Sequence, residues 1–148
     1  MNDLELRVRN QVYAAFVRDG EAPSAHETGM ALGLATQTVA DAYRRLHEAR
    51  ALVLEPDGER IRMLSPFSVT ATPHRVVSGG RSWFANCAWD ALGVPAALHR
   101  DGTIYSECAD CGEPVELEVA DGRLVRGTEL LVHILVPARR WWDDIVFT

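Results

Sequence analysis

Lysine is absent from this chain. All fifteen basic residues among its 148 are arginine, and 21 acidic residues outnumber them for a formal charge of −6. Neither half is a basic block: residues 1–66 carry 8 arginines against 10 aspartates and glutamates, a net of −2. Nucleic-acid binding draws most of its non-specific affinity from neutralised phosphates, so strong generic DNA binding is not expected of such a surface. Long apolar runs are missing too. No stretch approaches the roughly 20 apolar residues that span a bilayer. The N-terminus, with Asp3, Glu5, Arg7 and Arg9 inside an amphipathic pattern, has no apolar export region. A cytoplasmic protein without membrane contact is expected. Cysteine is scarce and odd in number, three in all. Without an export signal this argues for reduced thiols used in chemistry or metal binding rather than in structural disulfides. What is present, 47% hydrophobic and 24% charged residues, is the composition of a folded domain that buries a core without covalent staples.

Apolar spacing organises the chain into an α+β protein. Leu4, Val8, Val12, Ala15 and Phe16 recur at helical intervals and stop near Asp19-Gly20. Ser24 and Glu27 have the spacing of a capping box opening a second helix that ends at Gly33. A third helix is predicted over 36–50, with Val39, Tyr43, Leu46 and Ala49 or Arg50 on one face. Two β-like runs, 52–54 and 60–64, flank the turn signal Pro56-Asp57-Gly58. Three helices and a hairpin describe a three-helix, winged-helix-like domain over 1–66. Residues 67–80, with Pro73 and Gly79-Gly80 amid Ser and Thr, read as a connection holding one short strand around 67–71. From 81 to 148 the pattern predicts a helix over 82–92, ended by Gly93 and Pro95. Strands follow at 103–106, 115–119 and 130–136, with turns at Asp101-Gly102 and Asp121-Gly122. This second part is a small mixed core with a mainly antiparallel sheet and one helix bearing the candidate site.

Cys87 and Asp90 stand three residues apart on that helix, on neighbouring positions of one face. Asn86 or Ser82 is placed to cap it. A thiol in a first turn gains thiolate character from exposed N–H groups. A nearby carboxylate pushes the other way, and the two groups then titrate as a coupled pair. Such a pair suits a reaction that needs a soft nucleophile and a proton carrier. The same spacing fits a small buried cysteine beside an exposed carboxylate.

The segment Asn86-Cys87-Ala88-Trp89-Asp90-Ala91-Leu92 is similar to the Cys-Ala-Trp-Asp segment of the organomercurial (alkylmercury) lyases, which carries that family's catalytic cysteine and aspartate. Ser106-Glu107-Cys108, then Gly112-Glu113-Pro114-Val115, then Leu135-Val136-Pro137 follow in the family's order, so the resemblance covers about 81–147. The winged-helix-like N-terminal arrangement is also the family's. The resemblance implies protonolysis of a carbon–mercury bond. Cys87 and a second cysteine would grip mercury as thiolates, and Asp90 would protonate the departing carbon. The products would be a hydrocarbon and Hg(II). No cofactor is implied; Hg(II) is a bound product, passed to cellular thiols or to a mercuric reductase. The family's second catalytic cysteine follows the strand after the proline, where this sequence reaches Ile145-Val146-Phe147-Thr148. The expectation is a chain truncated before that cysteine, or a site built differently.

Cys108 and Cys111 form a Cys-x-x-Cys knuckle with three readings: half of a zinc site, a reduced turn without metal, or an auxiliary soft-metal site. No second cysteine pair completes a ribbon, and His26, His47, His74, His99 and His133 show no ligand spacing with the knuckle. Trp83 and Trp89 fall on the predicted Cys87 helix and are most simply core. Trp141-Trp142 reads as a surface turn with one ring buried. The rival function is a winged-helix, metal-responsive transcription regulator, its recognition helix offering Gln37, Thr38, Arg44 and Arg45 against the opposing charges of Asp41 and Glu48.

Overall fold

The structure, a computed structural model, describes residues 1–145. Its N-terminal third is helical for local reasons. Helix α1, Asp3–Asp19, opens on a reciprocal capping box between Asn2 and Glu5 and closes at Gly20; it buries Val8, Val12, Ala15 and Phe16. Helix α2, Ala25–Leu32, opens on the Ser24–Glu27 box that the sequence spacing predicts and closes at Gly33. Helix α3, Thr36–Glu48, buries Val39, Ala42, Tyr43 and Leu46. Polar pairs fix the helices to one another. Arg45 on α3 reaches the Glu5 carboxylate of α1 at 2.9 Å, and the buried Tyr43 hydroxyl meets Thr28 Oγ1 on α2 at 2.6 Å.

A hairpin of β1, Val53–Leu54, and β2, Ile61–Leu64, follows α3. Its strands do not stand apart. They begin one antiparallel sheet of eight strands, in the order β1-β2-β3-β5-β4-β6-β7-β8. The others are β3, Phe67–Ser68; β4, Arg75–Ser78; β5, Arg81–Ala85; β6, Gly102–Glu107; β7, Pro114–Ala120; and β8, Arg123–Arg126. Met63 pairs with Ser68 and Leu64 with Phe67, so the sheet runs unbroken past residue 66. Phe67 sits edge-on between Phe16, 5.6 Å away, and Trp83, 6.2 Å away, joining α1 to the sheet in a single apolar cluster. Helix α4, Ala88–Leu98, lies against β4, β5 and β6 with Ala91, Val94 and Pro95 buried. Among the described residues, no helix is long and apolar enough to cross a membrane.

Three sequence expectations change. The helix predicted over 82–92 is instead the strand β5 followed by the helix α4. Gly79 and Gly80, with φ of 56° and 76°, form a two-residue turn that pairs Ser78 with Arg81. The chain therefore returns as a hairpin strand, burying Trp83 and Ala85 on alternate positions. Helix α4 then passes through both Gly93 and Pro95. A proline there forfeits one helical hydrogen bond, which the burial of its ring and of Val94 offsets. Gly93 allows a close approach: a Cβ there would stand 3.1 Å from Pro66 Cβ, and Pro66 would have to yield by a few tenths of an ångström. Second, the 67–80 segment carries two strands, β3 and β4, rather than one. Third, 130–136 forms no strand; β8 supplies the edge of the sheet. Its apolar residues are left open to solvent, Leu131 95% and Leu135 74% exposed. A short 3-10 helix, Ala138–Asp143, brings Trp142 against His47 and under the Arg50 guanidinium, and both Trp141 and Trp142 are half-buried.

Candidate functional site

Strand β5 ends at Ala85 and helix α4 starts at Ala88, so Asn86 and Cys87 occupy the sharp passage between them. Cys87 itself, rather than Asn86 or Ser82, is the helix cap: its backbone is extended, and its Sγ accepts the Asp90 N–H at 3.4 Å. Ser82 lies on β5, away from the helix start. The cap fixes the thiol beside the first turn and sets the Asp90 carboxyl three residues on. Asn86 Nδ2 donates to Asp90 Oδ2 at 3.1 Å, which fixes the carboxyl from the other side. The Asn86 side-chain oxygen Oδ1 is buried without a partner among the described residues.

Burial raises the proton affinity of both groups. Burial pushes the Cys87 thiol above its ordinary value. The N–H groups of Asp90 and Trp89 oppose this, while the negative charge of Asp90 adds to it. Burial likewise raises Asp90, against the hydrogen bonds of Asn86 and Cys87 and the nearby His74. Thiol and carboxyl thus hold protons more tightly than free side chains do. The two groups titrate as a coupled pair.

Two residues that the sequence did not tie to the site feel the charge of Asp90. His74 precedes β4, and its Nδ1 lies 2.7 Å from Ser106 Oγ at the end of β6. Burial holds this imidazole below its usual pKa, with Asp90 pulling the other way. Tyr13 of α1 donates to the Ser65 carbonyl at 3.0 Å. Burial raises its phenol, with a further contribution from Asp90. Neither carried a local signal, since their partners are 32 and 52 residues away in sequence. Of the tryptophans, Trp83 is core on β5, whereas Trp89, beside Cys87 on the helix, is 59% exposed and available to a ligand.

Cys108 and Cys111 sit in the β6–β7 turn, outside the Cys87–Asp90 pair. The turn is closed by Cys108 N–H donating to the Glu113 carbonyl and by Gly112 N–H donating to the Cys108 carbonyl, each at 2.9 Å. All three cysteines are free thiols. Among the described residues, no three or more His, Cys, Asp or Glu side chains gather to hold a metal ion, so the zinc-ribbon reading lacks its ligands. Two surface clefts, of about 650 and 670 Å³, lie elsewhere. One is between α3, the hairpin and Trp142; the other is between the end of α4 and β7–β8.

Residues 67–148 match the family model of alkylmercury lyases. An alkylmercury lyase of Pseudomonas putida is 30% identical over 120 residues, which is 80% of this chain and 54% of that protein. One from Bacillus cereus is 39% identical over 68 residues, covering 45% of this chain and 31% of its own. Among solved structures, the mercury-bound form of MerB2 superposes with a TM-score of 0.71 at 29% identity, covering 87% of this chain and 62% of the other. The chain spans about half the length of the Pseudomonas putida relative, and less of the Bacillus cereus one.

Proposed function

The chain belongs to the alkylmercury lyase family, and from that premise we propose that it captures an organomercurial on Cys87 and cleaves the carbon–mercury bond with a proton carried by Asp90. The observation that carries this reading is the cap geometry, in which one turn presents a thiol and a carboxyl held by Asn86. In the first step the Cys87 sulfur bonds to mercury as the mercurial's exchangeable ligand leaves as a small-molecule thiolate, and the Cys87 proton passes to the Asp90 carboxylate. In the second, the protonated carboxyl gives that proton to the carbon as the carbon–mercury bond breaks. The bonding pair leaves with the carbon as the new C–H bond. A hydrocarbon departs, and Hg(II) stays on the Cys87 thiolate. Burial works in the same direction as the first step, since it raises the proton affinity of the Asp90 carboxyl. The exposed Trp89 offers an apolar wall for the organic group.

In this reading no cofactor takes part. Mercury is substrate and product, and cellular thiols or a mercuric reductase remove it in the cytoplasm. The three helices and hairpin of 1–66 serve as a winged-helix-like packing module. Their acidic balance fits packing better than DNA recognition. The test is turnover of phenylmercury in D₂O with excess small thiol. Benzene carrying one deuterium should form with the wild-type chain and not with Cys87→Ser. Benzene without deuterium, or equal release by the variant, would overturn the mechanism.

A further inference from the structure

Sheet topology brings the knuckle and the Cys87 turn to the same end of the molecule. β4 is flanked by β5 on one side and β6 on the other, with Arg75 opposite both Phe84 and Tyr105. One step further along, the Ala85 N–H bonds the His74 carbonyl, and the His74 ring bonds Ser106. Cys87 comes two residues after Ala85 and Cys108 two residues after Ser106. Two strand spacings, about 10 Å, separate the strands that deliver them.

We propose that Cys108 and Cys111 form a second soft-metal site, a two-thiolate clamp that receives Hg(II) from Cys87. That the ion is Hg(II) rests on the lyase reading; the clamp itself does not. The turn is closed by backbone hydrogen bonds, and within it the Cys108 and Cys111 thiols are hydrogen-bonded to each other. Cys108 is half-exposed and Cys111 exposed, so the pair is open to exchange. The Cys111 and Asp110 N–H groups lie within hydrogen-bond reach of the Cys108 sulfur, so the turn is built around it. Two thiolates without a third ligand, as found among the described residues, satisfy a soft two-coordinate ion and leave four-coordinate zinc half-bound. Transfer is ligand exchange without redox change. The Cys108 and Cys111 sulfurs bond to mercury and the Cys87–mercury bond breaks. The thiol protons pass to water, and the Cys87 thiolate is freed for the next substrate.

The test titrates Hg(II) into the full-length Cys87→Ser, Cys108→Ser and Cys111→Ser variants against excess monothiol, followed by thiolate–mercury absorbance. Cys87→Ser should still hold one Hg(II) per chain. Cys108→Ser and Cys111→Ser, each missing half the chelate, should yield the ion to the competitor on the order of 100-fold more readily. Loss of binding in Cys87→Ser equal to that in the knuckle variants would overturn the clamp, and so would Zn(II) binding as tight as Hg(II). Because the probe is inorganic Hg(II), retention by Cys87→Ser alongside an absence of hydrocarbon release in wild type would uphold the clamp and sink the lyase reading instead.

Discussion

At the scale of single residues, the two thiol environments have opposite electrostatics. Cys87 is raised by burial and by the charge of Asp90, whereas Cys108 is lowered by the N–H groups of its turn. Alkylation follows the thiolate. Iodoacetamide at neutral pH should therefore label Cys108 before Cys87. Cys87 labelling should keep climbing as pH passes above the ordinary thiol range. Peptide mass spectrometry over a pH series checks this, and faster labelling of Cys87 at neutral pH would contradict the assigned environments. The Cys87–Asp90 pair was legible in sequence because its geometry is local, three residues along one turn. His74 and Tyr13 were not, because what sets them near Asp90 is a β4–β6 pairing and the packing of α1, neither written in adjacent residues.

At the scale of elements, the Ser24–Glu27 capping box wrote the second helix into the sequence and formed as its spacing implied, while the Asn2–Glu5 box that opens α1 emerged only in the structure. The passage into the site was misread because Gly79-Gly80 resembles a linker, and Trp83 to Leu92 can follow either period. The hairpin resolved that ambiguity, since two left-handed glycines return the chain as β5 and move the helix start to Ala88. Gly80, at φ 76° with open space around its Cα, tests this directly. Gly80→Val should cost about 1–2 kcal/mol for the left-handed backbone. Gly80→Asn should cost less, as asparagine tolerates that region. Urea unfolding measures both. Equal stability of the valine variant would show that the turn does not depend on glycine. The missing strand at 130–136 teaches a complementary point. Leu131 and Leu135 have the composition of a strand, but an apolar run becomes one only where neighbours pair with it, and here β8 already forms the edge.

At the scale of the whole molecule, the hairpin shares one sheet, and the helices one core, with the site-bearing part. The N-terminal third thus acts as a buttress: α1 supplies Phe16 to Phe67 and places Tyr13 near Asp90. Arg44 of α3 is paired with Asp41 at 2.7 Å, which draws one of the few helix-face cations away from phosphate. A gel shift with random and promoter duplexes at moderate salt should show no complex below micromolar protein. A sharp, sequence-dependent shift would instead make α3 a recognition helix.

Capture by Cys87 and cleavage through Asp90 are proposed for different side chains of one helix turn, and Asp90→Asn separates them. The amide keeps the shape of the carboxyl and the Cys87 cap, because that cap is made by the backbone N–H, but it cannot carry a proton at neutral pH. With phenylmercury and excess small thiol, the variant should bind one mercurial per chain as wild type does, while benzene release falls by about two orders of magnitude or more. Benzene release at the wild-type rate, or loss of mercurial binding together with cleavage, would contradict the assignment of Asp90 as the proton carrier.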